Sequence, residues 1–231
     1  MKKGLITVAV GLLLSTPALA DEDCNIPDGI VKNVQAKLAA VVNLPDANGG
    51  LFKPNRMWSA VVDREGVLCS VVRSDPDAWP GSRSIAIAKA STANDFSNNK
   101  TALSTANLYS FTQPANTGLA TTFPAGSLYG LNNSNPFNPA FQAQGSGIGK
   151  VPGGIITFGG GVALYRNGQV IGGLGVSGDT ACADHAIAFR MRRLAGLDGT
   201  PSADNIVYLG PGELPHDVGH PHCFLTHDIT P

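Results

Sequence analysis

Apolar residues recur in several segments at the three- to four-residue spacing typical of helices with one buried face. In the first of these segments, Val34, Leu38 and Val41 would line that face. Alanines in the second segment would allow close packing against a neighbouring element. The predicted helices are residues 25–43, 82–96, 102–111 and 180–197, of which 102–111 is the shortest.

Two pairs of β-rich segments flank tight turns, and each pair predicts a hairpin. The second turn contains Asn167-Gly168, which is the strongest short signal for a hairpin. Hairpin strands pair in antiparallel fashion, so the predicted fold class is α+β, with a central antiparallel sheet packed with helices. The predicted strands are residues 58–62, 67–72, 161–165 and 170–176, followed by a last short strand at 205–209.

Residues 113–154 contain many Gly, Pro, Asn and Ser residues and no periodic apolar pattern. Structureless segments longer than about 12–15 residues are usually functional or disordered. Phe123, Tyr129, Phe137 and Phe141 argue against simple disorder, because solvated linkers carry few aromatic residues. We predict an ordered excursion that covers a pocket or a subunit contact.

The first twenty residues have the three-part pattern of a cleaved signal peptide. Lys2 and Lys3 precede an apolar run at 5–14, and Ala18-Leu19-Ala20 fits the cleavage rule. The run is shorter than the roughly 20 residues that a membrane span needs. We therefore expect a periplasmic or secreted protein with a single domain at 21–231 and a His-rich C-terminal tail.

Charge and cysteine content refine this expectation. Removing Lys2 and Lys3 changes the formal net charge from −1 to −3, and no basic block indicates a nucleic-acid partner. All four cysteines remain after cleavage, and an even number in an exported chain favours disulfides. Three pairings are possible; we favour one bridge near each end of the chain, Cys24 with Cys69 and Cys182 with Cys223.

The residues Gly173, Gly175 and Gly178 match the spacing of a dinucleotide-binding motif, G-x-G-x-x-G. That motif requires the first strand of a parallel βαβ unit, whereas here the preceding strand is the second arm of a hairpin. We therefore reject a dinucleotide site. Two alternatives remain open: amides near 177–180 bind an anion such as a haem propionate, or Asp179 or Thr180 caps the helix while the glycines permit close packing.

All five histidines lie in the last fifth of the chain. Cys182 and His185 would share one helix face with Phe189, and a Cys182–Cys223 bridge would draw His220 and His222 towards them. Three interpretations of this group stay open: a structural disulfide, a zinc site of cysteine and histidine ligands, and a non-covalent haem site. Covalent haem attachment is not expected, because the sequence lacks C-x-x-C-H.

Several blocks of sequence, in order, resemble the periplasmic branch of the GlcG/HbpS-like family, also called haem-degrading or DUF336 domains. The longest is GGGVALYRNGQVIGGLGVSGDTACADHAIAFRMR at 159–192, and WPGSRSIAIAKASTANDFS at 79–97 and GHPHC at 219–223 are others. The resemblance implies an α/β sandwich with a central antiparallel sheet, frequent homo-oligomers, and haem binding in some members. It marks as pocket candidates Arg83, Lys89, Gly160, Gly175, Ser177, Gly178 and Asp179.

These observations give one leading hypothesis of function and two alternatives. The first is an exported protein that binds haem or another tetrapyrrole non-covalently, as a scavenger, carrier or sensor accessory. The alternatives are an enzyme that degrades haem or metabolises a small acid, and a structural or interaction module without a ligand. The candidate ligand-binding residues are His185, His220, His222, Arg83, Lys89, Ser177 and Asp179.

Overall fold

A computed structural model of the 231-residue chain describes residues 23–114, 126–131, 147–198, 204–223 and 228–231. The predicted signal peptide and much of the long 113–154 excursion lie outside these ranges. The helices are α1 (Asp28–Val41), α2 (Ser82–Asp95) and α3 (Ala181–Leu194); the strands are β1 (Trp58–Asp63), β2 (Leu68–Arg73), β3 (Gly161–Arg166), β4 (Gln169–Ser177), β5 (Val207–Tyr208) and β6 (Gly219–His220).

Four strands form one antiparallel sheet in the order β2-β1-β4-β3. The two predicted hairpins supply its two halves, and β1 pairs with β4 in the middle, where Ala60 lies opposite Gly175. The predicted α+β class with a central antiparallel sheet is therefore confirmed.

Helix α2 covers one face of the sheet at very short range. A Cβ atom on Gly175 would lie less than 3.0 Å from Ala86 O and Ala90 N, and one on Gly173 would lie equally close to Ala90 O. Glycine on the strand and alanine on the helix therefore let the two backbones meet. Gly173 and Gly175 of the apparent dinucleotide motif serve this packing, whereas a Cβ atom on Gly178 would lie 2.2 Å from Arg56 O.

The opposite face of the sheet carries the main apolar core under α1 and α3. Leu174 and Val176 alternate with the glycines along β4 and point to this side, as the two-residue period of a strand requires. They pack with Val34 and Leu38 of α1 and with Ile187 of α3. The two helical layers thus enclose the sheet.

Residues 102–111 do not form the predicted helix. They form turns, followed by a short 3₁₀ helix at Ser110–Thr112. The Asn107 side chain accepts hydrogen bonds from Ser104 N and Ser104 Oγ, at 3.0 and 2.9 Å. Such local side-chain bonds compete with helical backbone bonds, which explains the turn.

The last predicted strand is shorter than expected and has a partner that the pattern did not indicate. Val207 and Tyr208 pair in parallel with Gly219 and His220. Both favoured disulfides are present, with Cα–Cα distances of 5.2 Å for Cys24–Cys69 and 6.1 Å for Cys182–Cys223. Among the described residues, no helix is both long and apolar enough to cross a membrane.

Candidate functional site

A buried ion pair joins the helices on the two faces of the sheet. Lys89 of α2 extends past the beginning of β3, and its Nζ lies 2.7 Å from Asp184 Oδ2 of α3 and 3.3 Å from Val176 O. Both side chains are almost completely buried. Burial raises the pKa of Asp184 to about 6 and lowers the pKa of Lys89, while the attraction between the two charges opposes both shifts.

Gly160 makes room for this pair. A Cβ atom there would lie 2.7 Å from Lys89 Nζ and 2.9 Å from Asp184 Cβ, and the residue has a φ of +126°. Both the close approach and the left-handed backbone favour glycine. The family resemblance marked Lys89 and Gly160, and the structure brings these two together.

Phe158 lies directly over the ion pair. Its ring centroid is 4.7 Å from Lys89 Nζ, within cation–π range, and 37% of the residue is exposed. One face of the ring therefore covers a buried ammonium group while part of the ring remains open to solvent. The sequence offered no pattern that singled out Phe158.

His220 is buried beside the same segment. Its Nε2 accepts a hydrogen bond from Gly159 N at 3.2 Å, and its Nδ1 donates to Pro221 O at 2.8 Å. The Tyr109 ring lies 5.4 Å from the imidazole. Burial lowers the pKa of His220 to about 4, so the ring is neutral at pH 7. We call Lys89, Phe158, Asp184 and His220 the Lys89 cluster.

His185 lies deeper, between α3 and residues 205–206. Its Nε2 is 3.2 Å from Asn205 Oδ1 and 3.1 Å from Ile206 N, and Phe189 lies 5.7 Å from its ring. Nδ1 has no hydrogen-bond partner among the described residues. Burial lowers the pKa of His185 to about 3. The side chain is fully enclosed, so a ligand could reach it only if its surroundings moved.

Asp179 and Thr180 organise the start of α3. The Asp179 carboxylate accepts hydrogen bonds from Leu51 N, Phe52 N and Asn55 Nδ2, at 2.8 to 3.1 Å. Thr180 Oγ1 accepts from Ala183 N and caps the helix. Thr180, one of the two expected capping residues, therefore caps α3, and the Asp179 carboxylate holds the Leu51–Asn55 segment in place.

The remaining candidates lie at different places. Ser177, at the end of β4, is opposite Trp58 and points to the α2 side of the sheet. Arg83 is buried in the first turn of α2, and burial lowers its pKa. Because α2 runs antiparallel to β4, Ser177 and Arg83 lie at the same end of the contact between α2 and β4. His222 is exposed and bonded to Asp228, which raises its pKa.

The zinc interpretation loses two of its ligands. Cys182 and Cys223 are joined, and a disulfide sulfur is not the thiolate that zinc binds. In the described part of the chain, Cys24, Asp63 and Cys69 are the only group of three or more potential metal ligands whose atoms converge, and those two sulfurs are also joined to each other.

The neutral state of His220 predicts acid sensitivity. Its pKa of about 4 in the fold lies below the ordinary value of 6.5, so the unfolded chain takes up a proton first as pH falls. The free energy of unfolding should therefore fall by about 3 kcal/mol as the pH is lowered from 6.5 to 4. Above pH 6.5, His220 is neutral in both states and causes no such loss. Asp184 acts in the opposite sense from pH 6 to 3.8, because its pKa is raised.

His220→Gln should therefore reduce the acid loss of unfolding free energy, measured by urea titration at several pH values, while the buried His185 continues to contribute its own loss. His216→Gln is the matched control, because His216 is largely exposed. Equal slopes for the wild type and for His220→Gln would contradict the assignment of a neutral buried imidazole.

The fold and the cluster define an α+β sandwich whose two helical layers are joined by a buried lysine–aspartate pair. Residues 52–192 match the family described as "Haem degrading protein HbpS-like". That match covers more than half of the chain, which therefore belongs to the HbpS-like family.

Solved structures agree on the fold. A crystal structure of a PduOC:heme complex is similar with a TM-score of 0.50 and 26% identity, over 73% of this chain and 94% of that chain. The Klebsiella pneumoniae protein ORFY, of family DUF336, is similar with a TM-score of 0.50 and 24% identity, over 79% of this chain and 98% of that chain. A comparison with curated proteins finds no match.

Proposed function

We propose that this protein is exported and binds haem or a related tetrapyrrole non-covalently. The observation that carries the proposal is the HbpS-like match at 52–192, which includes Lys89, Phe158 and Asp184. The family description names haem, and the PduOC structure contains it. Scavenging, transport or assistance to a sensor would all use such binding.

The chemistry of the Lys89 cluster supports a planar ligand. The partly exposed Phe158 ring offers an apolar surface for stacking, and the buried Lys89–Asp184 pair lies behind it. Arg83, the other buried cation among the candidates, lies at the start of α2 and not in the Lys89 cluster. Phe158 would hold the ring, and bound haem would supply a redox-active iron.

The histidines are less well placed to bind the haem iron. His220 is the histidine of the cluster, and both of its ring nitrogens already have hydrogen-bond partners. His185 is enclosed, and the Asp228 partner of His222 favours its protonated, non-ligating form. His220 would hold iron only after exchanging its bond from Gly159 N.

Titration of the purified protein with haemin tests the proposal, and we expect a shifted Soret band with saturable binding. Phe158→Ala should weaken haemin binding about 3- to 10-fold by removing the stacking surface. Leu194→Ala is the matched control, because Leu194 is 58% exposed at the end of α3. Absence of any Soret shift would overturn the proposal.

The family description also favours a second candidate, degradation of haem. The same titration separates it from binding alone. Adding an electron donor to the complex should leave the Soret band intact for a carrier, whereas an enzyme would bleach the band and release iron.

Two disulfides support export, because disulfides persist in oxidising compartments. Cleavage after Ala20 remains a prediction, and N-terminal sequencing of the exported protein should begin at Asp21 if it is right. A homo-oligomer also remains a prediction, which the molecular mass in solution would check.

A further inference from the structure

We propose that the Cys182–Cys223 disulfide is a redox-controlled latch that keeps the C-terminal segment, with its His220, closed against Lys89, Phe158 and Asp184 of the Lys89 cluster. The latch comprises residues 210–223, which follow β5 and include β6. Its closed state places His220 against Gly159, next to Phe158. The consequence for ligand binding rests on the proposed function, whereas the opening itself does not.

The base of the latch is firmly anchored. Asp204, just before β5, forms a buried bidentate ion pair with Arg192 of α3. Asn107 Nδ2 also donates to Asn205 O at 3.1 Å. Reduction should therefore leave residues 204–208 in place, and movement should begin after β5.

The latch itself buries little apolar surface. Between residues 210 and 223, which the structure describes in full, only Gly219 and His220 are buried. Ser110 Oγ donates to Gly219 O at 2.6 Å, Gly159 N donates to His220 Nε2, and Leu209 N donates to His220 O at 2.9 Å. Near its end, Cys223 N donates to Asp228 Oδ1 at 3.2 Å, and the His222 ring stacks on Tyr208 at 5.7 Å. With so little apolar burial, the disulfide adds the one covalent constraint to these polar and ring contacts.

The two sulfurs differ in their accessibility to a reductant in solution. Cys182 is fully buried in the first turn of α3, whereas Cys223 is partly exposed. A dithiol reductant would attack Cys223 Sγ as its thiolate, forming a mixed disulfide. Cys182 would leave as a thiolate, favoured near a helix N-terminus, and then take up a proton. The second thiol of the reductant would then displace Cys223 and form the oxidised reductant.

The other disulfide provides an internal comparison. Cys24–Cys69 ties the residues before α1 to β2, and the apolar core also holds α1 through Val34, Leu38 and Val41. Its loss removes a constraint from a helix that is already packed. It should leave the latch and His220 unchanged.

The test compares Cys182→Ser/Cys223→Ser with the matched control Cys24→Ser/Cys69→Ser. We expect amide exchange of Gly159 and proteolysis within 210–223 to accelerate on the order of 100-fold in the first variant only, because a constraint on a 41-residue separation is lost. Haemin should bind at least tenfold more tightly, because the closed state no longer competes. If the first variant fails to fold, a dithiol added to the folded control variant reduces its single remaining disulfide.

The outcomes separate the two proposals. Unchanged protection of the latch after loss of Cys182–Cys223 would overturn the latch, whatever haemin does. Faster opening without haemin binding in either state would support the latch and overturn the proposed function. Faster opening with unchanged or weaker haemin binding would overturn the claim that the latch covers the ligand site.

Discussion

Replacing Arg192 by methionine should lower the free energy of unfolding by about 3–5 kcal/mol. Arg192 is 1% exposed and Asp204 is fully buried, and the guanidinium binds both carboxylate oxygens, with Nη2 at 2.7 Å from Oδ1. Arg192 Nη1 also donates to Ala163 O at 3.0 Å. The variant leaves a buried carboxylate without its cation, and this uncompensated charge is the source of the loss.

Urea denaturation at pH 7 measures the effect, and helix α3 contains a matched control. Arg190 makes a bidentate pair with Asp46 that is partly exposed, and it also donates to the buried Asn48 Oδ1 at 2.6 Å. Arg190→Met should therefore cost about 1–2 kcal/mol, less than Arg192→Met. Arg192→Met/Asp204→Leu should recover part of the loss, because it removes both charges. Equal losses for Arg190→Met and Arg192→Met would contradict the role assigned to the buried pair.

The sequence indicates one partner of this ion pair, Arg192, but not the other. Cys182, His185 and Phe189 are predicted to share a helix face, and Arg192 continues that face three residues beyond Phe189. A charged residue on a buried face needs an opposite charge. Its partner Asp204 lies beyond the helix in an irregular segment, however, and no periodic pattern relates the two.

The same limit applies to the Lys89 cluster. The family blocks marked Lys89, and Asp184 interrupts the apolar run 181–189 in a way that indicates a buried partner. Phe158 and the Gly159–His220 hydrogen bond escaped prediction, because both depend on where the irregular segments before β3 and around β6 cross the end of the sheet. The apolar periods of strands and helices predict the sheet and the helical layers. They do not predict contacts between irregular segments that are distant in sequence, which are seen only in the folded chain.

The expected helix at 102–111 failed for a different reason. Its composition is compatible with a helix, but Ser104 and Asn107 form local bonds that stabilise a turn. Side-chain competition of this kind is visible in the sequence only as a weak preference. The resulting turn places Tyr109 against His220, so the error falls beside the candidate site.

Gly175→Ala should destabilise the protein by about 3 kcal/mol or more, at the upper end of overpacking effects. The new Cβ would lie less than 3.0 Å from two backbone atoms of α2, Ala86 O and Ala90 N, and neither can rotate away as a side-chain tip can. Helix α2 would have to move off the sheet, and Lys89 would move with it. The thermal midpoint and the urea midpoint measure the loss.

Gly29→Ala is the matched control for the Gly175→Ala prediction. Gly29 is exposed in the first turn of α1, and a Cβ there would meet no atom within 4 Å. Alanine should raise stability by about 0.5 kcal/mol, because it is the better helix former. An unchanged melting temperature for Gly175→Ala would contradict close packing as the reason for the glycines and would reopen a ligand-binding role for G-x-G-x-x-G. The predicted loss instead makes Gly173 and Gly175 of this apparent nucleotide motif the contact that positions α2, and with it Lys89, against the sheet.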